Sequence, residues 1–152
     1  MKLSTEENQL IEMYLALPFN ALLGLQFHSR TDLSLSLTFD NQTQFIGNTH
    51  KSILHGGVIA SVIDAAGGAL ALLNGLNRMQ HLSHEEKQKR LFRYSTIDLR
   101  VDFLEPGHGQ WFLINASTLR EGARLSVIRI ELYNEKESFI AAGSATYQIG
   151  RC

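Results

Sequence analysis

Residues 56–73 read GGVIASVIDAAGGALALL, an apolar run interrupted by one ionisable side chain, Asp64. A run this long, apolar almost all round, is stable as a helix only where protein or lipid covers most of its circumference. Asp64 decides between the two covers. An acid at the centre of a bilayer costs about 2.5–3.5 kcal/mol, and no second span accompanies this one, so the run is expected to be the buried core helix of a soluble protein. A carboxylate in such a helix has to be paired, neutralised or used. The run opens on His55-Gly56-Gly57. A helix start offers unsatisfied backbone N–H groups and the positive end of the helix dipole to a negative oxygen. One element therefore carries both an anion site and a candidate base.

The remaining residues supply the cover. Ser4 and Glu7 form a capping box, and Leu10, Ile11, Tyr14, Leu15 and Leu17 recur at helical spacing until Pro18, which predicts an amphipathic opening helix. Residues 25–30 and 33–39 read as strands, the second alternating Leu33, Leu35, Leu37 and Phe39 with polar residues. Residues 40–51, which include Asn48, form a loop into the core helix, expected to end near Leu73. The chain then turns polar, with a short solvated helix over 83–90. Four long strands follow, over 96–104, 110–119, 124–133 and 138–149, and their short connections predict antiparallel neighbours. One long helix with an antiparallel sheet curled around it is an α+β arrangement. With 152 residues, 44% of them hydrophobic, residues 1–152 are expected to form one domain around one core.

Composition removes several functions. A net charge of −1 gives no field to gather nucleic acid or an anionic membrane surface. The single cysteine, Cys152, permits no intrachain disulfide, and residues 1–8 contain no signal-type apolar core, so a cytoplasmic location is expected. His81, His84 and Glu85 have helical ligand spacing but stand among Lys and Glu, the pattern of a solvated face; no metal and no cofactor are expected.

The segments Pro18-Phe19-Asn20, Ser52 to Ser61 with its His55-Gly56-Gly57, Asp64 nine residues after the histidine, and Thr96 to Gly107 together resemble the hotdog-fold acyl-CoA thioesterases of the PaaI-like superfamily, in their YigI-type branch. The resemblance covers nearly the whole chain. It implies a hotdog fold, in which an antiparallel β-sheet wraps a long central α-helix, and hydrolysis of medium- to long-chain acyl-CoA. It also implies site roles: Gly56 N–H for the oxyanion, His55 to orient the helix start and bond the thioester side, Asn48 to fix His55 or the carbonyl, and Thr96 to hold the attacking water. Asn48 stands seven residues before His55, where the family pattern commonly has six.

Thioester hydrolysis needs an activated water or nucleophile and donors facing the carbonyl oxygen as it becomes an oxyanion. The backbone N–H groups of Gly56 and Gly57 suit the second task. Asp64, flanked by Ile63, Ala65 and Ala66, suits the first, as general base or as nucleophile. Eight residues of helix separate Gly56 from Asp64, about 12 Å of rise, too far for both to touch one carbonyl. Two antiparallel helices across a symmetric interface would bring them together, so a homodimer is predicted, with a dimer of dimers also open. Arg120 and Arg124, with Lys87, Lys89 and Arg90, are candidate partners for coenzyme A phosphates. Leu70, Leu72, Leu73 and Leu76 are candidate tail contacts and equally good core residues. Three alternatives stay open. Asp64 has a structural reading, as ion-pair partner of Arg78 or Arg93. The chain has a reading as a non-catalytic acyl-CoA or acyl-carrier-protein binding module. The third, a hotdog dehydratase, would carry Pro-Gly where this chain has Gly-Gly.

Overall fold

A computed structural model describes residues 2–149; Cys152 lies outside the described residues. In chain order the elements are α1 (Thr5–Leu15), α2 (Pro18–Leu23), β1 (Gln26–Arg30), β2 (Ser34–Asp40), β3 (Ile46–Asn48), β4 (Ile53–Leu54), α3 (Gly56–Arg78), α4 (His84–Leu91), β5 (Ser95–Phe103), β6 (Trp111–Glu121), β7 (Leu125–Asn134) and β8 (Phe139–Gln148). The helix α3 has the length and hydropathy of a membrane span, yet 67% of its most apolar window is buried inside the fold. It runs past Leu73, where the apolar run ends, through Arg78. The polar extension is anchored to the sheet: Asn74 donates to the Thr118 hydroxyl at 2.8 Å, and Arg78 pairs with Glu121 at 2.6 Å. Arg78 is thus committed away from Asp64.

The main sheet has the order β1-β2-β6-β7-β8-β5, and every neighbouring pair is antiparallel. Period-two alternation turns Leu35, Leu37 and Phe39 of β2, Phe112 and Ile114 of β6, and Ile128, Ile130 and Leu132 of β7 into the core with α3. On β8 the inward residues begin small, with Ala141, Gly143 and Ala145, and end on the large Tyr147. A Cβ on Gly143 would stand 2.5 Å from Ile63 Cγ2, so this glycine lets α3 press against the sheet next to Asp64. One expectation is corrected. The strands β5 and β6 are joined by a short connection but are not neighbours, because β5 pairs with β8 at the edge. The connection is held elsewhere: Leu54 N–H donates to Gly107 O at 3.0 Å, and Asn41 binds Gly109 O and Gln110 O at 2.8 and 2.7 Å. It crosses the end of the sheet instead of reversing as a hairpin.

The α1 capping box forms as predicted, with Ser4 Oγ accepting from Glu7 N–H and the Glu7 carboxylate accepting from Ser4 N–H. The buried Glu7–Arg30 pair, at 2.6 Å, ties α1 to β1. Lys87, a candidate phosphate ligand by sequence, is instead buried and bonded to Glu6 at 2.8 Å, joining α4 to α1. An antiparallel sheet wrapped on one long helix is the α+β hotdog arrangement.

Candidate active site

The start of α3 is built by His55. Its backbone is extended (φ −65°, ψ 135°), and its ring Nδ1 accepts the Gly57 N–H at 2.8 Å, so a side chain caps the helix. With Nδ1 accepting, the neutral ring carries its proton on Nε2, a donor on an exposed residue. The approach to the helix is tight: His55 N–H donates to Phe45 O at 2.8 Å, and a Cβ on Gly47 would meet the His55 backbone at 2.6 Å. The cap separates the two glycines. The Gly57 N–H is consumed by His55, whereas the Gly56 N–H has no partner among the described residues. The pair of donors expected from sequence is therefore one free donor. Asn48 is exposed and its Oδ1 accepts Lys51 N–H at 3.1 Å, closing a turn without bonding His55.

Asp64 lies half-buried two turns further along α3. The Thr96 hydroxyl on β5 donates to Asp64 Oδ1 at 3.0 Å, and the carboxylate has no ion-pair partner among the described residues. Burial pushes the Asp64 carboxyl above the ordinary aspartate range, and the hydroxyls of Thr96 and Tyr147 hold back part of that rise. Oδ2 is left to act as proton acceptor. The Thr96 hydroxyl, to which the resemblance assigns the attacking water, here bonds the carboxylate.

Three tyrosines surround this turn. Tyr147 donates to the Asp64 carbonyl at 2.9 Å and Tyr14 to the Ala65 carbonyl at 3.1 Å; Tyr94 stacks on Tyr147 with centroids 5.8 Å apart and meets Tyr14 edge-on. Burial raises all three phenols, Tyr94 up to about 12, so they remain protonated donors near neutral pH. Gly67 and Gly68 make the room: a Cβ on either would collide with Tyr147 Oη or Tyr94 Oη respectively. Sequence reasoning missed this cluster. Its available signal was the second glycine pair in the helix, since each glycine costs about 1 kcal/mol against alanine and needs a packing reason.

Within one chain the Gly56 donor and the Asp64 carboxylate remain about 12 Å apart along α3. Arg120 and Arg124 are exposed near the β6–β7 turn, where Gly122 O accepts from Arg78 at the far end of α3. A single chain does not bring them to Gly56. Lys89 pairs with Glu85, and His84 bonds Gln88, so these residues of α4 satisfy one another.

The thioesterase superfamily family model matches residues 51–141, from the approach to His55 through β8 residue Ala141. The chain belongs to the thioesterase superfamily. As a thioester hydrolase it is 45% identical over 134 residues to the medium/long-chain acyl-CoA thioesterase YigI of Salmonella typhimurium, covering 88% of this chain and 86% of that one. The YigI protein of Escherichia coli K12 is 44% identical over the same coverage. Among solved structures, a Shewanella oneidensis protein related to the thioesterase superfamily superposes with TM-score 0.87 at 37% identity, over 97% of this thioesterase and 100% of that chain. The PaaI protein of E. coli, TM-score 0.74 at 20% identity over 97% and 96% of the two chains, shares the fold.

Proposed function

We propose that this thioesterase hydrolyses medium- to long-chain acyl-CoA to free fatty acid and coenzyme A, at a site completed across a homodimer by Asp64 of one protomer and the Gly56 N–H of its partner. The observation that carries the reading is the pairing of one unspent helix-start donor with one carboxylate of raised basicity on the same helix. The substrate class comes from the YigI relatives, which are named medium/long-chain acyl-CoA thioesterases. Asp64 Oδ2 takes a proton from water as the water oxygen bonds to the thioester carbon, and the carbonyl oxygen becomes an oxyanion accepting from Gly56 N–H. Collapse breaks the C–S bond, and the proton on Asp64 passes to the departing thiolate. His55 Nε2–H is a second donor at the rim of the same site.

Two features favour the dimer. The length of α3 keeps donor and base apart within a chain. In addition, β5, which carries Thr96, is a sheet edge with Ile97 and Phe103 more than half exposed. An open edge with apolar side chains is a ready pairing surface, and two-fold pairing there would set two α3 helices antiparallel.

Thiol release from acyl-CoAs of graded length, in the parent and in a folded, dimeric Asp64→Ala variant, tests the reading. Activity should fall by about a hundred- to ten-thousand-fold in the variant. A parent that binds acyl-CoA tightly and releases no thiol would instead mark a non-catalytic binding module. Single turnover in labelled water distinguishes base from nucleophile, since attack by the carboxylate would leave label in Asp64.

A further inference from the structure

A cavity of 510 Å³ opens between α1, α4 and the second half of α3. Its walls include Leu10 and Met13 of α1, Leu72 and Leu76 of α3, and Leu91 and Phe92 at the end of α4. The size is that of a small-molecule site, typically about 300–1,000 Å³. The two charges on its wall, Glu6 and Lys87, neutralise one another at 2.8 Å and so offer nothing to a charged head group. Met13 is 50% exposed and Phe92 73%, so apolar surface faces outward at the cavity instead of closing it.

The tyrosines shared with the Asp64 cluster say what the cavity is for. Tyr14 and Tyr94 belong to its wall, and both belong to the cluster around Asp64. Tyr14 reaches the Ala65 carbonyl, and Tyr94 stacks on the ring whose hydroxyl reaches the Asp64 carbonyl. From Asp64 the helix leads away from Gly56 to Leu72 and Leu76, about 12 and 18 Å of rise further on. Asp64 itself does not line the cavity; Tyr14 and Tyr94 stand between the two, so a tail running from a reacting carbon at Asp64 would enter past these tyrosines and end between α1 and α4. Leu70 and Leu73, the other two tail candidates from sequence, are fully buried core residues that do not line it.

We infer that this cavity receives the unbranched hydrocarbon tail of the thioester and that its walls set the chain-length preference. The inference rests on the thioesterase reading above. Met13→Trp fills the cavity from a half-exposed position and leaves the helix register intact. The readout is the ratio of kcat/KM for palmitoyl-CoA to that for butanoyl-CoA, with Glu12→Trp as the matched change on the solvent face of α1. The ratio should fall about tenfold or more in Met13→Trp and stay at the parent value in Glu12→Trp. An unchanged ratio in Met13→Trp overturns the inference. So does a changed concentration dependence of assembly with an unchanged ratio, which would make this face a contact between copies. If the parent releases no thiol from any acyl-CoA, the thioesterase reading fails, and displacement of bound cis-parinaric acid by palmitate decides the tail site by itself. Weaker binding in Met13→Trp alone would support it, and equal binding in all three proteins would refute it.

Discussion

Asp64 is held in tension between burial, which favours its protonated form, and two hydroxyls, which favour its charged form. Under the proposed mechanism Asp64 must be ionised to act, so activity should be present above its raised pKa and lost as pH falls through it. The Thr96 bond to Oδ1 stabilises the carboxylate, so Thr96→Val removes a restraint on the rise. A hydrogen bond to a charged group is worth about 1.5–3 kcal/mol, so the acid limb of kcat/KM should move to higher pH by about one unit or more. An acid limb unmoved in the variant would show that Thr96 does not act through Asp64. Asp64 and Gly56 were legible as residues because an acid in an apolar run and glycines at a helix start each break a local rule. Asn48 and Gly57 were not legible in the same way. The hydrogen bond each makes is fixed by the local turn or cap, and spacing alone does not reveal that a donor or acceptor is already spent.

At the scale of the helix, positions three and four residues apart lie on one face, so Gly67 and Gly68 stand beside Asp64 on α3. Their missing side chains are replaced by tyrosine hydroxyls from α1, β8 and the segment before β5. Gly68→Ala would drive a methyl group into Tyr94 Oη and Tyr14 Oη, and overpacking of this kind costs about 1–3 kcal/mol. Denaturant unfolding should show that loss, and adding Tyr94→Phe should restore part of it; full stability in Gly68→Ala would mean that the tyrosines repack without cost. The element boundaries were readable wherever periodicity was strong, as in α1, β2 and the four long strands. The end of α3 was not, because Asn74 and Arg78 are polar by type and buried in part by the partners they reach on β6.

For the whole molecule, the placement of β5 beside β8 was invisible to a reading of turn lengths, which favours pairing between consecutive strands. The proposed dimer rests on that placement, and complementation tests it. Gly56→Pro deletes the free N–H at the first helical position, where proline is tolerated, and His55 already has the extended backbone that a following proline requires. A Cβ there would touch the Phe103 ring at only 3.4 Å. Mixing Gly56→Pro with Asp64→Asn should recover about a quarter of parent activity if protomers exchange freely, since half the dimers then carry one intact site of two. A mixture no more active than either variant alone would count against a site shared between protomers.

The order of strands also governs how the chain can reach this state during synthesis. The turn around Asp64 is completed by Thr96, 32 residues later, and by Tyr147, 83 residues later. Until β8 has emerged, β5 has no neighbour in its own sheet and the most apolar helix of the chain lacks part of its cover. Folding is therefore dominated by distant contacts and cannot be completed residue by residue from the amino terminus. The nascent chain must keep α3 from other apolar surfaces through that interval, a demand on the cell that the finished protein no longer displays.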